Sequence, residues 1–323
     1  MSDPTINPGH PPTFSPEMTE YGYIPHKYVA IVFIVVFGLS TVLHIAQAIH
    51  YRMWWLFPTA CLCGLGEVIG WAGRLWSGYS PLQHKAFMIQ IVSLVVSPTP
   101  LIAVNFILLG WIVIKLGAVY SWLPPQLYTA IFLSCDIIAL LSQAAGGSIA
   151  AGATTAERTK LGAHIMLAGI VFQLAALITY CGLAVDFFVR YARDLPVKRG
   201  QSIVRLPLEF KTKRMIFAVS FATVVLFIRS IYRIIELASG WHSAFMVNET
   251  YFNWLDGAMV ALALIVFNFD HPGRLVGPTT PQPPGERYEM KFKLEGGRAR
   301  AWMRSTWFKD CSRLILVVTF ATV

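Results

Sequence analysis

Seven apolar runs, at about 28–49, 54–76, 86–114, 126–151, 162–189, 215–238 and 251–269, take up most of the chain. A bilayer's hydrocarbon core takes about 20 helical residues to cross, and each run is of that length or longer. In lipid every backbone N–H and C=O must be satisfied within the protein, so such runs fold as spanning helices. The short polar gaps make consecutive helices antiparallel neighbours. The expected fold is therefore all-α: a polytopic membrane protein of seven transmembrane helices. Composition agrees, with 13% charged residues and a mean hydropathy of +0.57, against about 25% charged in a soluble domain. Pro98 and Pro100 fall inside the third run and predict a kink or break there, since proline removes a helical N–H and crowds the preceding turn.

Lysine and arginine are unevenly shared between the two sides. Lys27, Lys85, Arg158 and Lys160 fall on one side; Arg52, Lys115, eight residues of the 190–214 loop and nine beyond position 270 fall on the other, 4 against 19. The positive-inside rule then puts the amino terminus outside and the carboxyl terminus in the cytoplasm. With the basic residues gathered at membrane edges, the net charge of +9 points to anionic lipid, not nucleic acid, and the 190–214 loop is expected on the inner leaflet. Residues 1–25, Pro-rich and without a basic n-region or cleavage site, are expected to be a disordered extracellular tail that is not removed. Residues 26–275 form the helical domain, and 276–323 a basic, disordered cytoplasmic tail. The sequon Asn248-Glu-Thr250 falls in an outside loop. Cys61 and Cys63 read as small buried residues, not ligands or a disulfide.

Function is sought in the polar residues that the spans carry. Arg229, Tyr232, Arg233 and Glu236 recur at i, i+3, i+4 and i+7, so they share one face of the sixth helix. Glu67 and Arg74 lie a heptad apart on the second, and Asp256 lies in the seventh. With the orientation above, these three acids and three bases share one depth band in the outer half of the membrane. An intramembrane charge costs about 2.5–3.5 kcal/mol on insertion scales, so each must find a partner. Two readings are open: an ion network that locks helices two, six and seven, or a site for a polar head group. Arginines suit phosphate, and carboxylates suit an amine. Asp136 lies nearer mid-span, a heptad before Gln143 and the small-residue run Ala144–Gly152. It is either part of a hydrogen-bonded packing seam or a carboxyl that takes up protons. His44 and Gln47 form a further polar stripe on the first helix, read as hydrogen-bonded packing before proton relay.

Several chemistries are disfavoured. There is no Gly-x4-Gly-Lys-Ser/Thr loop, no His-Glu-x-x-His and no lysine in the seventh span for a retinal Schiff base. No enzyme activity, cofactor or metal is expected.

The chain resembles the fungal RTA-like family of seven-span lipid-translocating exporters. The resemblance is carried by Phe37-Gly-Leu-Ser-Thr-Val-Leu-His44, Gly66-Glu-Val-Ile-Gly-Trp-Ala-Gly-Arg74, Asp136 with Gln143-Ala-Ala-Gly-Gly147, Ile228-Arg-Ser-Ile-Tyr-Arg-Ile-Ile-Glu236, and Asp256 with Phe267-Asn-Phe-Asp-His-Pro-Gly-Arg-Leu275. Trp111 stands where the family usually has Arg, and Asn105-Phe106 where it has a small residue and Tyr. The resemblance implies a plasma-membrane exporter of sphingoid long-chain bases or phospholipids, with resistance to toxic amphipaths. It implies a substrate site drawn from Glu67, Arg74, Asp136, Gln143, Arg229, Arg233, Glu236, Asp256 and His44. A seven-span sensor of lipid asymmetry is the alternative, since topology alone permits both.

Overall fold

The computed structural model describes residues 19, 21–197, 208–239 and 248–276. Seven of its helical stretches are long and apolar enough to span a bilayer, so the chain is a multi-pass membrane protein. The first span is α1 (Lys27–His50). The second enters through a 3-10 turn (Trp54–Leu56) and a π turn (Phe57–Cys61) before α2 (Leu62–Tyr79). The third is broken into α3 (His84–Val96) and α4 (Pro98–Leu116). The fourth and fifth are α5 (Pro125–Ala151) and α6 (Ala156–Arg193), and the sixth is α7 (Phe210–Ala238). The seventh is a short α8 (Glu249–Phe252), a π turn (Asn253–Ala258) and α9 (Met259–Phe269), followed by α10 (Pro272–Val276). No strand occurs among the described residues.

The third span occupies the middle. Every residue from Val96 to Gly110 is buried, which places the proline break inside the protein and not against lipid. Around it, α1 and α6 turn large apolar side chains outward, among them Val35, Leu39, Val42, Phe172, Ile178 and Val185. In a bilayer these meet acyl chains. The small-residue run of α5 brings that helix against α6 at backbone distance. A Cβ on Gly146 would stand 2.6 Å from the Gly162 carbonyl oxygen, and a Cβ on Gly162 would meet the Gly146 oxygen at the same distance. Close approach of this kind is how membrane helices associate without a hydrophobic driving force.

Helix α6 starts six residues before its apolar run. Thr155 caps it, its side chain accepting from the Arg158 amide at 3.4 Å, and Glu157 sits in the first turn. Part of the stretch before α1 packs against the helices. Tyr21 is buried, and its hydroxyl donates to Gln90 Oε1 at 2.6 Å and lies at hydrogen-bond distance, 3.0 Å, from the Ser77 hydroxyl. An amphipathic phenol with polar partners on both helices holds this stretch onto α2 and α3. Residues 1–18 and 20 of the expected N-terminal tail, residues 198–207 of the basic loop and all residues after 276 lie outside the described residues. Cys61, Cys63, Cys135 and Cys181 are free thiols.

Candidate functional site

The charged residues of α7 meet the π turn of the seventh span. Asp256 projects from that turn and receives Arg233 through both of its oxygens, from Nε at 3.1 Å and Nη2 at 2.8 Å. The remaining terminal nitrogen of Arg233 donates to Glu236 at 2.6 Å, and Tyr232 donates to the other Glu236 oxygen at 3.2 Å. Arg229 Nε stands 2.8 Å from the Asp256 oxygen that Arg233 Nε also uses, an ion pair without hydrogen-bond alignment. Its Nη2 donates to the Leu94 carbonyl at 2.5 Å. All four charged side chains are buried. The i, i+3, i+4, i+7 spacing thus yields one connected network.

That Leu94 carbonyl is open for a reason written in the sequence. Leu94 lies four residues before Pro98, whose ring nitrogen carries no hydrogen, so the helical bond to its oxygen cannot form. Arg229 supplies the missing donor. The same break aims Ser97 at Glu67: the Ser97 hydroxyl donates to a Glu67 oxygen in a short hydrogen bond. Gly66 makes the approach possible, since a Cβ there would lie 2.7 Å from Ser97 Cβ. Glu67 is buried within electrostatic reach of Asp256, Arg229 and Arg233, but no ion pair among the described residues includes it. The cluster therefore holds three carboxyl groups (Glu67, Glu236, Asp256) against two guanidiniums (Arg229, Arg233).

Arg74 belongs to a different group. A heptad places it on the same face as Glu67 but about 10 Å further along the axis. There Arg74 Nη2 pairs with Glu249 at 3.1 Å and donates to the Tyr23 hydroxyl at 2.7 Å. Its Nη1 reaches Gln90 at 3.4 Å. Glu249 also accepts from the His26 backbone at 3.1 Å and meets the His26 ring in a short contact. The Phe252 ring separates the two groups, with Arg74 Cζ 4.5 Å and Arg233 Cζ 5.4 Å from its centroid, so each guanidinium gains a cation–π contact. Burial pushes the Tyr23 phenol up from its usual 10.0, with the Arg74 guanidinium pulling the other way. The expected band of six is therefore two clusters. Glu249 was missed, although it lies a heptad before Asp256, the same spacing that links Glu67 and Arg74.

Asp136 and Gln143 come together elsewhere, between α4, α5 and α6. Gln173 of α6 hydrogen-bonds to Asp136, accepts from Gln143 at 3.0 Å and donates to Thr99 at 3.3 Å. Gln173 was also missed, because a lone glutamine in an apolar helix carries no periodic signal. His44 lies apart from both clusters. Its Nε2 bonds the Leu264 carbonyl at 3.1 Å, Gln47 donates to the Asn268 carbonyl at 3.0 Å, and together they pin α1 to α9. No group of three or more His, Cys, Asp or Glu side chains suited to a metal occurs among the described residues.

A sphingoid long-chain base transporter (RSB1) of Saccharomyces cerevisiae is 28% identical over 282 residues, covering 78% of this chain and 73% of the relative. A lipid-translocating exporter-like protein (RTA1) of Leptosphaeria maculans is 24% identical over 299 residues, covering 83% of this chain and 52% of that protein. The protein RTA1 of Saccharomyces cerevisiae is 27% identical over 272 residues, covering 76% and 83%. No solved structure matches the chain. The RTA1-like protein family matches residues 60–279, which takes in both charged clusters apart from Tyr23 and His26, and the chain belongs to that family.

Proposed function

We propose that this protein carries amphipathic lipids with a cationic amine head group, sphingoid long-chain bases first, toward the outer leaflet of the plasma membrane. The observation that carries the reading is the charge count beside Glu67. Both arginines of the cluster already hold carboxylates, Arg233 with two oxygens of Asp256 and one of Glu236. A phosphate would have to break those pairs. Glu67 is met by a neutral hydroxyl and brings the third carboxyl to two guanidiniums, so an ammonium placed there completes the balance. The named substrate of the yeast relative, a sphingoid base, has that amine.

The positive-inside count orients the site toward the outer leaflet, with the Arg74–Glu249–Tyr23 group on its extracellular side. In this reading that group closes the site, and substrate leaves when it parts. The test is purified protein in liposomes, scoring movement of a labelled sphingoid base and of its N-acylated, uncharged counterpart. The amine should move at least several-fold faster than in protein-free vesicles, the acylated lipid should not, and Glu67→Gln should abolish the difference. Equal movement of both lipids, or full activity in Glu67→Gln, would overturn the assignment.

A further inference from the structure

The Asp136 cluster has no part in head-group recognition as derived above, yet it holds a carboxyl with no counter-ion. Asp136 sits near the middle of α5 with 1% of its surface exposed, and its Oδ2 has no hydrogen-bond partner. The facing elements offer nothing cationic. Helix α4 has no titratable side chain from Pro98 to Ile114, and α3 carries His84 and Lys85 at its far end. On α6 the nearest titratable residues along the helix from Gln173 are Tyr180 and His164, about 10 and 13 Å away along the axis. On α5 the neighbouring thiol of Cys135 adds no positive charge. The site is thus neutral only with a proton on Asp136. Uncompensated intramembrane carboxyls are expensive and mark ion and proton pathways.

The cluster is also wired to the charged site. Pro98 is flanked by Ser97, which holds Glu67, and by Thr99, which accepts from Gln173, the partner of Asp136. A two-residue step in the broken helix therefore touches both groups. We propose that Asp136 is the proton-loading site of a proton-coupled carrier, acting on the head-group cluster through Gln173, Thr99 and the Pro98 break. The carboxylate takes one proton from one side of the membrane, becomes the neutral acid, and releases the proton to the other side. No other bond is made or broken, and the proton gradient supplies the work.

The coupling part rests on the lipid-carrier reading; the proton site itself does not, and two measurements separate them. Infrared difference spectra of the purified protein across a pH series should contain a protonated-carboxyl band that vanishes in Asp136→Asn. In liposomes, an imposed pH gradient should accelerate movement of labelled sphingoid base several-fold in wild type and in Asp136→Glu, and leave Asp136→Asn unchanged. A band unaffected by the substitution, or a normal gradient response in Asp136→Asn, overturns the proposal. If wild type moves no lipid, the transport reading fails, and the infrared result still decides whether Asp136 loads a proton. Should Asp136→Asn not fold, Gln173→Leu serves: losing its hydrogen bond must shift the carboxyl band, and an unshifted band refutes the assignment.

Discussion

At the scale of single residues, Asp256 is the hinge of the charged site, because one carboxylate serves both Arg229 and Arg233. Removing it leaves Arg229 with no carboxylate and Arg233 with Glu236 alone, whereas removing Glu236 leaves both arginines on Asp256. Breaking a buried pair costs about 3–5 kcal/mol, so Asp256→Asn should lower the detergent-solubilised Tm far more than Glu236→Gln. Equal losses would mean the two carboxylates share the load evenly. Tyr23 gives a pH test. Its phenol is pushed above the unfolded value of 10.0, so the folded state holds the proton more tightly. Its stabilisation is complete below that pH and drains away as pH rises through the folded value. Wild type should therefore lose more Tm than Tyr23→Phe on passing from below to above pH 10. Residues such as Arg229, Arg233 and Glu236 were legible because helical periodicity fixes a face. The partner of Arg74 was not, since a shared face says nothing about a two-turn offset along the axis or about a ring such as Phe252 standing between.

The elements show the same division. All seven spans could be read from apolar length, and the broken third span from its two prolines. What could not be read was the use made of the break: the freed Leu94 carbonyl serves Arg229, and Ser97 and Thr99 turn to different clusters. Sequence marks a missing N–H but not which distant donor replaces it. Pro98→Ala restores that N–H, so the Leu94 oxygen gains a helical bond and Arg229 loses its acceptor. The variant should fold to wild-type yield but move labelled sphingoid base at least several-fold more slowly. Unchanged transport would show that the break has no functional role. The glycine contact between α5 and α6 answers to packing. Gly146→Val puts side-chain atoms where 2.6 Å separates a Cβ from the opposing backbone, and folded yield should fall sharply, whereas Gly147→Val, facing a sulfur at 3.8 Å, should be far milder.

For the whole molecule, the proposed carrier joins a seven-span topology to a closed charged site that admits a lipid head group. The proposed orientation rests on 4 basic residues on one side against 19 on the other. A cysteine introduced at Ser243 should react with an impermeant reagent in intact cells and one at Ser202 should not; the reverse would invert the direction of transport. The central claim is that the ions of α2, α7 and the seventh span form a substrate site and are not merely a lock. The most direct measurement is sphingoid-base movement in liposomes by the paired variant Arg233→Gln with Asp256→Asn, compared with each single change at matched folded yield. A site requires that the pair fold better than Asp256→Asn alone while transport stays lost. If the pair restores yield and transport together, the cluster is a structural lock and the account is wrong.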